Sequence, residues 1–282
     1  MARGYRFGVV GSLSQFSANI IVSYPTGSIV TLTNGTEVIV ADSNPYTFVV
    51  HSADTWILKR FVNNVEVYTK PFNVTTSGQT FSDDIPEVLT LKGVQNVLDN
   101  HRESALLNVG DEISAVDKNS NSLTYIIADI NLYDTHEVIL SNKYVGSAIT
   151  STPYDYENRT AVQSALTTIY NDFTDSDKAL IKNKTVQFWT GGSVKTLTQK
   201  TWLPTRQEVN GGWASYETDM KQFALFTTQA NRVKTNSVGT ATRWQTSTGA
   251  SNGTIFVAEN GAIDSTTGSC GIAECFHLIA DS

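Results

Sequence analysis

Cysteine, methionine, proline and charge are all scarce in this chain of 282 residues: it has two Cys, two Met and six Pro, and only 17% of it is Asp, Glu, Lys or Arg. Two cysteines cannot staple a chain of this size, so a disulfide scaffold is excluded and the redox compartment stays open. No apolar run approaches the roughly eighteen residues that a membrane span requires. No basic run is present either, and a formal net charge of −7 argues against nucleic acid, whose phosphates call for clustered Lys and Arg. The opening M-A-R-G-Y-R-F-G-V-V-G-S-L-S-Q-F-S puts basic residues ahead of a weakly apolar stretch. Ser12, Ser14, Gln15 and Ser17 interrupt that stretch too soon for a signal peptide.

Hydrophobic residues still make up 40% of the chain, enough to bury a core. The uncharged polar residues are dominated by Thr, Ser, Asn and Gly, a bias that suits short strands, turns and an exposed recognition surface. The runs 19–24, 28–33, 36–41, 46–51, 55–61 and 65–70 are rich in Val, Ile, Thr and aromatics and read as strands. Asn34-Gly35 is the stronger hairpin signal between them, predicting a type I′ turn, and Asn63-Asn64 the weaker. So many short strands in so few residues predict a small β-sandwich over residues 1–83. The polar segment 76–87, T-S-G-Q-T-F-S-D-D-I-P-E, reads as a linker, and Asp83-Asp84 within it as solvated.

Beyond it, Leu91, Val94, Leu98, His101 and Ala105 fall at helical spacing, which makes 84–105 a linker plus amphipathic helix with His101 as a boundary histidine. Strands return at 112–116, 123–130 and 136–141. Two helices come next: 161–170, with Val162, Ala165, Leu166 and Ile169 on one face, and 178–182 behind Thr174 as N-cap. Asp172, Asp175 and Asp177 are explained by that helix start. The sum is an α+β chain: an N-terminal sandwich, then a domain over 106–282 with two main helices and short strands.

Both cysteines and one histidine sit in S-C-G-I-A-E-C-F-H-L-I-A, residues 269–280. Zinc would need a fourth ligand and offers only one poorly spaced knuckle. A disulfide between Cys270 and Cys275 in a strand would have to span about 16 Å against a limit of roughly 7 Å, so only a tight turn at Gly271 would allow it. Apolar residues on both parities instead predict a central strand covered on both faces, with Cys275 as a small buried apolar residue. No G-x-S-x-G, H-E-x-x-H or P-loop is present.

Several stretches in order resemble one family. L-K-G-V-Q-N-V-L-D-N-H-R-E-S-A-L-L-N-V-G-D-E-I, K-T-W-L-P-T-R-Q-E-V-N-G-G at 200–212, Q-A-N-R at 229–232, R-W-Q-T-S at 243–247, F-V-A-E-N-G-A-I at 256–263 and C-G-I-A-E-C-F are similar to the motifs of a C-type-lectin-like module. That module, with the fold of the formylglycine-generating enzyme, occurs in tail- and fibre-associated virion proteins of phages of gut Gram-positive bacteria. It is related to retroelement-diversified variable proteins. Y-P-T-G-S-I-V-T-L-T-N-G with Y-T-F-V-V-H-S-A-D-T-W-I-L resembles the small Ig-like sandwich modules that precede it. The family's Arg-Pro in the closing strand is Ala273-Glu274 here, so any anchoring by that arginine is lost.

The resemblance implies display and binding rather than catalysis, with no cofactor, metal or catalytic residue. Carried over position by position, it implies ligand contacts at Gln245, Thr246, Thr248, Asn252, Asp264, Thr266 and Thr267, with Trp244 as core. The implied protein lies on the phage particle, or alternatively on a bacterial surface. It docks to other virion proteins through its N-terminal domain and meets a host glycan or protein with the other. By analogy with fibres it would be a homotrimer, although no heptad supports one. A head or neck fibre or decoration protein without a receptor is the second expectation. The third is a copper- or thiol-dependent oxidase, from the C-x4-C spacing that an enzyme of this fold shares.

Overall fold

The computed structural model describes residues 16–85, 89–150, 152–213, 215–251 and 253–281 of a mixed α+β, sheet-rich chain. The chain divides into two compact units, residues 1–87 and 88–282.

The first unit holds β1 (Ala18–Ser23), β2 (Ile29–Thr33), β3 (Val38–Val40), β4 (Tyr46–Val50), β5 (Asp54–Val62), β6 (Val65–Val74) and β7 (Thr80–Asp84). They form two sheets, ordered β4-β1-β7 and β3-β2-β5-β6. Alternation along each strand sends Ile20, Val22, Phe48 and Val50 from one sheet, and Val30, Leu32, Trp56, Leu58 and Phe72 from the other, into one buried cluster. Pro71 lies in β6, an edge strand, where its missing N–H interrupts no interior ladder.

Two local expectations are corrected here. The Asn34-Gly35 hairpin has a four-residue loop closing at Thr33–Val38, with the Asn34 side chain accepting from the Thr36 and Glu37 amides. The two-residue turn with positive φ at both positions is Asn63-Asn64, at 48° and 68° between the paired Val62 and Val65. The expected linker contains β7, which pairs in parallel with β1. Its Asp83 is not solvated: its side chain is 8% exposed and takes the Lys70 ammonium and the Tyr68 hydroxyl.

The second unit runs β8 (Leu89–Thr90), α1 (Leu91–Asp99), α2 (Glu103–Leu106), β9 (Glu112–Val116), β10 (Ser122–Ile130), β11 (Glu137–Asn142), β12 (Ile149–Thr150), α3 (Thr160–Asp172) and α4 (Asp175–Leu180). It continues through β13 (Lys184–Trp189), β14 (Val194–Gln199), α5 (Arg206–Asn210), β15 (Trp244–Ala250), β16 (Gly253–Val257), β17 (Ile263–Thr266), β18 (Ser269–Cys270) and β19 (Cys275–Ile279). Its largest sheet is ordered β19-β11-β10-β9-β8. Strand β11 is buried from Glu137 through Ser141.

Thr90 caps α1 by accepting from the Gly93 amide, and Leu91, Val94 and Leu98 are buried as the spacing predicts. The helix does not reach Ala105. It stops at Asp99, and His101 turns out of it at φ 53° into an exposed position, stacked 3.7 Å from the His136 ring. Gln95 donates to the Ile279 carbonyl and fastens α1 to β19. Thr174 caps α4 through the Asp177 amide, and α3 buries Val162 and Leu166.

The 269–280 segment is not one continuous strand. It is β18 and β19 separated by Gly271–Glu274, and every residue from Cys270 to Leu278 is buried. The interruption is a close backbone crossing: a Cβ on Gly271 would lie 2.0 Å from Val145 Cγ1 and 2.9 Å from the Gly146 carbonyl.

Candidate functional site

The motif P-T-R-Q-E-V-N-G-G builds α5 and sets the direction in which the chain leaves it. Thr205 and Glu208 form a reciprocal capping box, and Gly211 ends the helix at φ 69°. Glu208 is fully buried, its oxygens accepting from the Thr205 amide and the Tyr133 hydroxyl, and desolvation pushes its carboxyl up to about 8.

Beyond the helix stands a ladder of four side chains. The Arg206 guanidinium lies 3.7 Å from the centre of the Trp213 ring. Trp213 packs 4.8 Å from Tyr216, and Tyr216 packs 4.8 Å from Trp189 at the end of β13. Tyr216 is 39% exposed and the other three are half-buried, so the ladder presents an apolar ridge ending in a cation. Arg206 Nε and Trp213 Nε1 are buried and take no partner among the described residues. Beside it, Gln187 and Asp219 exchange two hydrogen bonds, at 2.9 and 3.0 Å.

The ladder is held from below by Glu217. This buried carboxylate accepts from the Gln207 amide at 2.9 Å, the Trp189 amide at 3.1 Å and the Thr248 hydroxyl at 2.6 Å. Thr248 Oγ1 in turn accepts from the Arg206 amide at 2.7 Å, and the Trp213 amide donates to the Gln207 side chain at 2.7 Å. Backbone positions of three rungs, Trp189, Arg206 and Trp213, are therefore fixed by polar bonds within the protein.

The residues singled out in the sequence fall differently. Gln245, Thr246 and Thr248 are 0% exposed and give a ligand nothing to reach. Gln245 donates to the Cys270 carbonyl and Thr246 to that of Ile255. The buried Arg159 guanidinium takes the carbonyls of Thr246, Ser247 and Tyr154 and so seals β15 from above. Asp264 and Thr267 are exposed and Thr266 half-buried, on and just after β17, which edges its sheet. Asn252 lies outside the described residues. Trp244 is fully buried, as expected of core.

The ladder is legible in the sequence only locally, as Trp213 and Tyr216 three residues apart behind N-G-G. Nothing in the sequence ties them to Trp189.

Cys270 and Cys275 are free, buried thiols, and burial holds both above the ordinary thiol range. His277 is committed on both nitrogens, to Glu137 at 2.6 Å and to the Asn183 carbonyl at 3.0 Å. Among the described residues no three His, Cys, Asp or Glu side chains are grouped to hold a metal, and no helix is long and apolar enough to cross a membrane. Glu274, just ahead of β19, is held by its carboxylate, which accepts from Tyr125 Oη at 3.0 Å and Asn142 Nδ2 at 2.9 Å. Comparison with protein-family models, curated proteins and solved structures finds no match for this chain.

Proposed function

We propose that this chain is a non-enzymatic phage virion protein that binds a host-surface glycan or protein through its second unit. The observation that carries the binding reading is the Arg206–Trp213–Tyr216–Trp189 ladder. Arg, Trp and Tyr are the side chains that concentrate energy at recognition surfaces, because they bring large contact area at little rotamer cost. This ladder is also preordered by Glu217 and Thr248. The virion assignment is supported by the ordered series of motifs over residues 88–280. In this reading the first unit is an Ig-like sandwich that docks to the particle, the second has a C-type-lectin-like fold, and many copies add avidity to weak single contacts.

The test is adsorption of multimerised protein to cells and wall fractions of candidate Gram-positive hosts, with Trp213→Ala and Tyr216→Ala in parallel. Binding that falls about tenfold or more in either variant, with unchanged circular dichroism, supports the reading. No adsorption to any host, or adsorption indifferent to both substitutions, overturns it.

A further inference from the structure

The second unit carries a groove of about 560 Å³, distinct in its residues from the ladder, lined by Ser122, Thr124, Tyr144, Ser147, Asn236 and Ser237 among others. None of its described lining side chains is charged. The hydroxyls of Ser122, Ser147 and Ser237 and the Asn236 amide nitrogen make no hydrogen bond to other described residues. They are therefore free to serve a ligand. Their frame is fixed: Asn236 Oδ1 accepts from the Val238 and Thr240 amides, Asn142 Oδ1 from the Tyr144 amide, and the Gly146 amide donates to the Ile272 carbonyl. The Lys143 ammonium lies 5.5 Å from the centre of the Tyr144 ring and is paired with Glu112, so it offers no free charge to the groove.

We propose that this groove binds a neutral saccharide. Ligand sites commonly run from about 300 to 1,000 Å³, so a volume of this order admits one or two sugar rings. Sugar hydroxyls would exchange hydrogen bonds with the serine hydroxyls and the Asn236 amide, while a ring C–H face packs on Tyr144. An apolar ligand would strand those polar groups, each at a cost. An anionic one would find no cation among the lining side chains.

The test is titration of the isotope-labelled full chain, followed by amide resonances, with triacetylchitotriose, mannotriose and lactose, and with sialyllactose as the anionic arm. At least one neutral probe is expected to shift Ser147, Asn236 and Ser237, with the affinity about tenfold weaker in Ser237→Trp, an exposed-loop substitution that fills the groove. Trp213→Ala is expected to leave that affinity unchanged, which separates this site from the ladder. The proposal is overturned by no response to any neutral probe up to about 20 mM, by equal binding in Ser237→Trp, or by a preference for sialyllactose.

Discussion

The Thr248 hydroxyl donates to the Glu217 carboxylate at 2.6 Å, with both side chains buried. A threonine in a polar, Thr-rich strand is thereby a support for the Arg206–Trp213–Tyr216–Trp189 ladder rather than a contact on it. Thr248→Val is expected to destabilise the second unit by about 1–3 kcal/mol, because it leaves a buried carboxylate oxygen and the Arg206 amide short of a partner. The check is the denaturant midpoint. A variant of wild-type stability that loses ligand binding would return Thr248 to the surface role.

Glu208 and Lys234 tilt the pH dependence of stability in opposite directions on the two sides of pH 8. Glu208 is raised from 4.5 to about 8 by desolvation, so between those values the folded state keeps a proton that the unfolded state has released, and stability falls as pH rises. Lys234 is lowered from 10.5 to about 8 by desolvation, so between those values the unfolded state holds the extra proton and the Lys234 contribution rises with pH. It is opposed from about pH 9 upward by the Cys275 thiol and the Tyr125 and Tyr133 hydroxyls, which burial keeps protonated in the folded state. Chemical denaturation across pH 4–11 measures the curve. Glu208→Gln is expected to flatten the acid-side limb by at least about 1 kcal/mol while leaving the alkaline limb in place.

Ellman's reagent should find neither thiol in the native protein and both after guanidinium unfolding, since Cys270 and Cys275 are free and fully buried. Reductant should leave the Tm unchanged. A reductant-sensitive Tm would mean that the two sulfurs are bonded to each other or to something else.

In the first unit, Trp56 is 0% exposed at the centre of the shared core. Trp56→Ala is expected to cost about 3–5 kcal/mol, enough to unfold a domain of this size. Differential scanning calorimetry should then show loss of one transition with the other retained. Loss of both together would make the units one cooperative body.

Strands β1, β2, β4 and β5 of the first unit were legible because one face of each carries its buried residues. Strand β7 was not: Thr80–Asp84 has a single apolar residue, Phe81, among four polar ones, and its pairing with β1 is supplied by a partner some sixty residues away. Helix α1 was readable from the apolar spacing of Leu91, Val94 and Leu98, but that period ran on to Ala105 past a chain turn at His101 that periodicity does not record. Three of the seven expected ligand contacts are buried for a related reason. Gln245, Thr246 and Thr248 have surface-like side chains, and partners from elsewhere in the chain make their burial tolerable: the Cys270 and Ile255 carbonyls for the first two and the Glu217 carboxylate for the third.

The closing contacts of the second unit also set when it can fold. Strand β11 has β10 on one side and waits for Cys275–Ile279 on the other, while Gln95 waits for the Ile279 carbonyl and Asp99 for the Asp281 amide. A nascent chain that has emerged only as far as Glu274 exposes an apolar strand edge and an unfastened first helix, a substrate for chaperones and proteases. Completion of this unit therefore waits for residues 275–281, and a chain truncated before Cys275 should be cleared by proteolysis rather than carried as a partial domain.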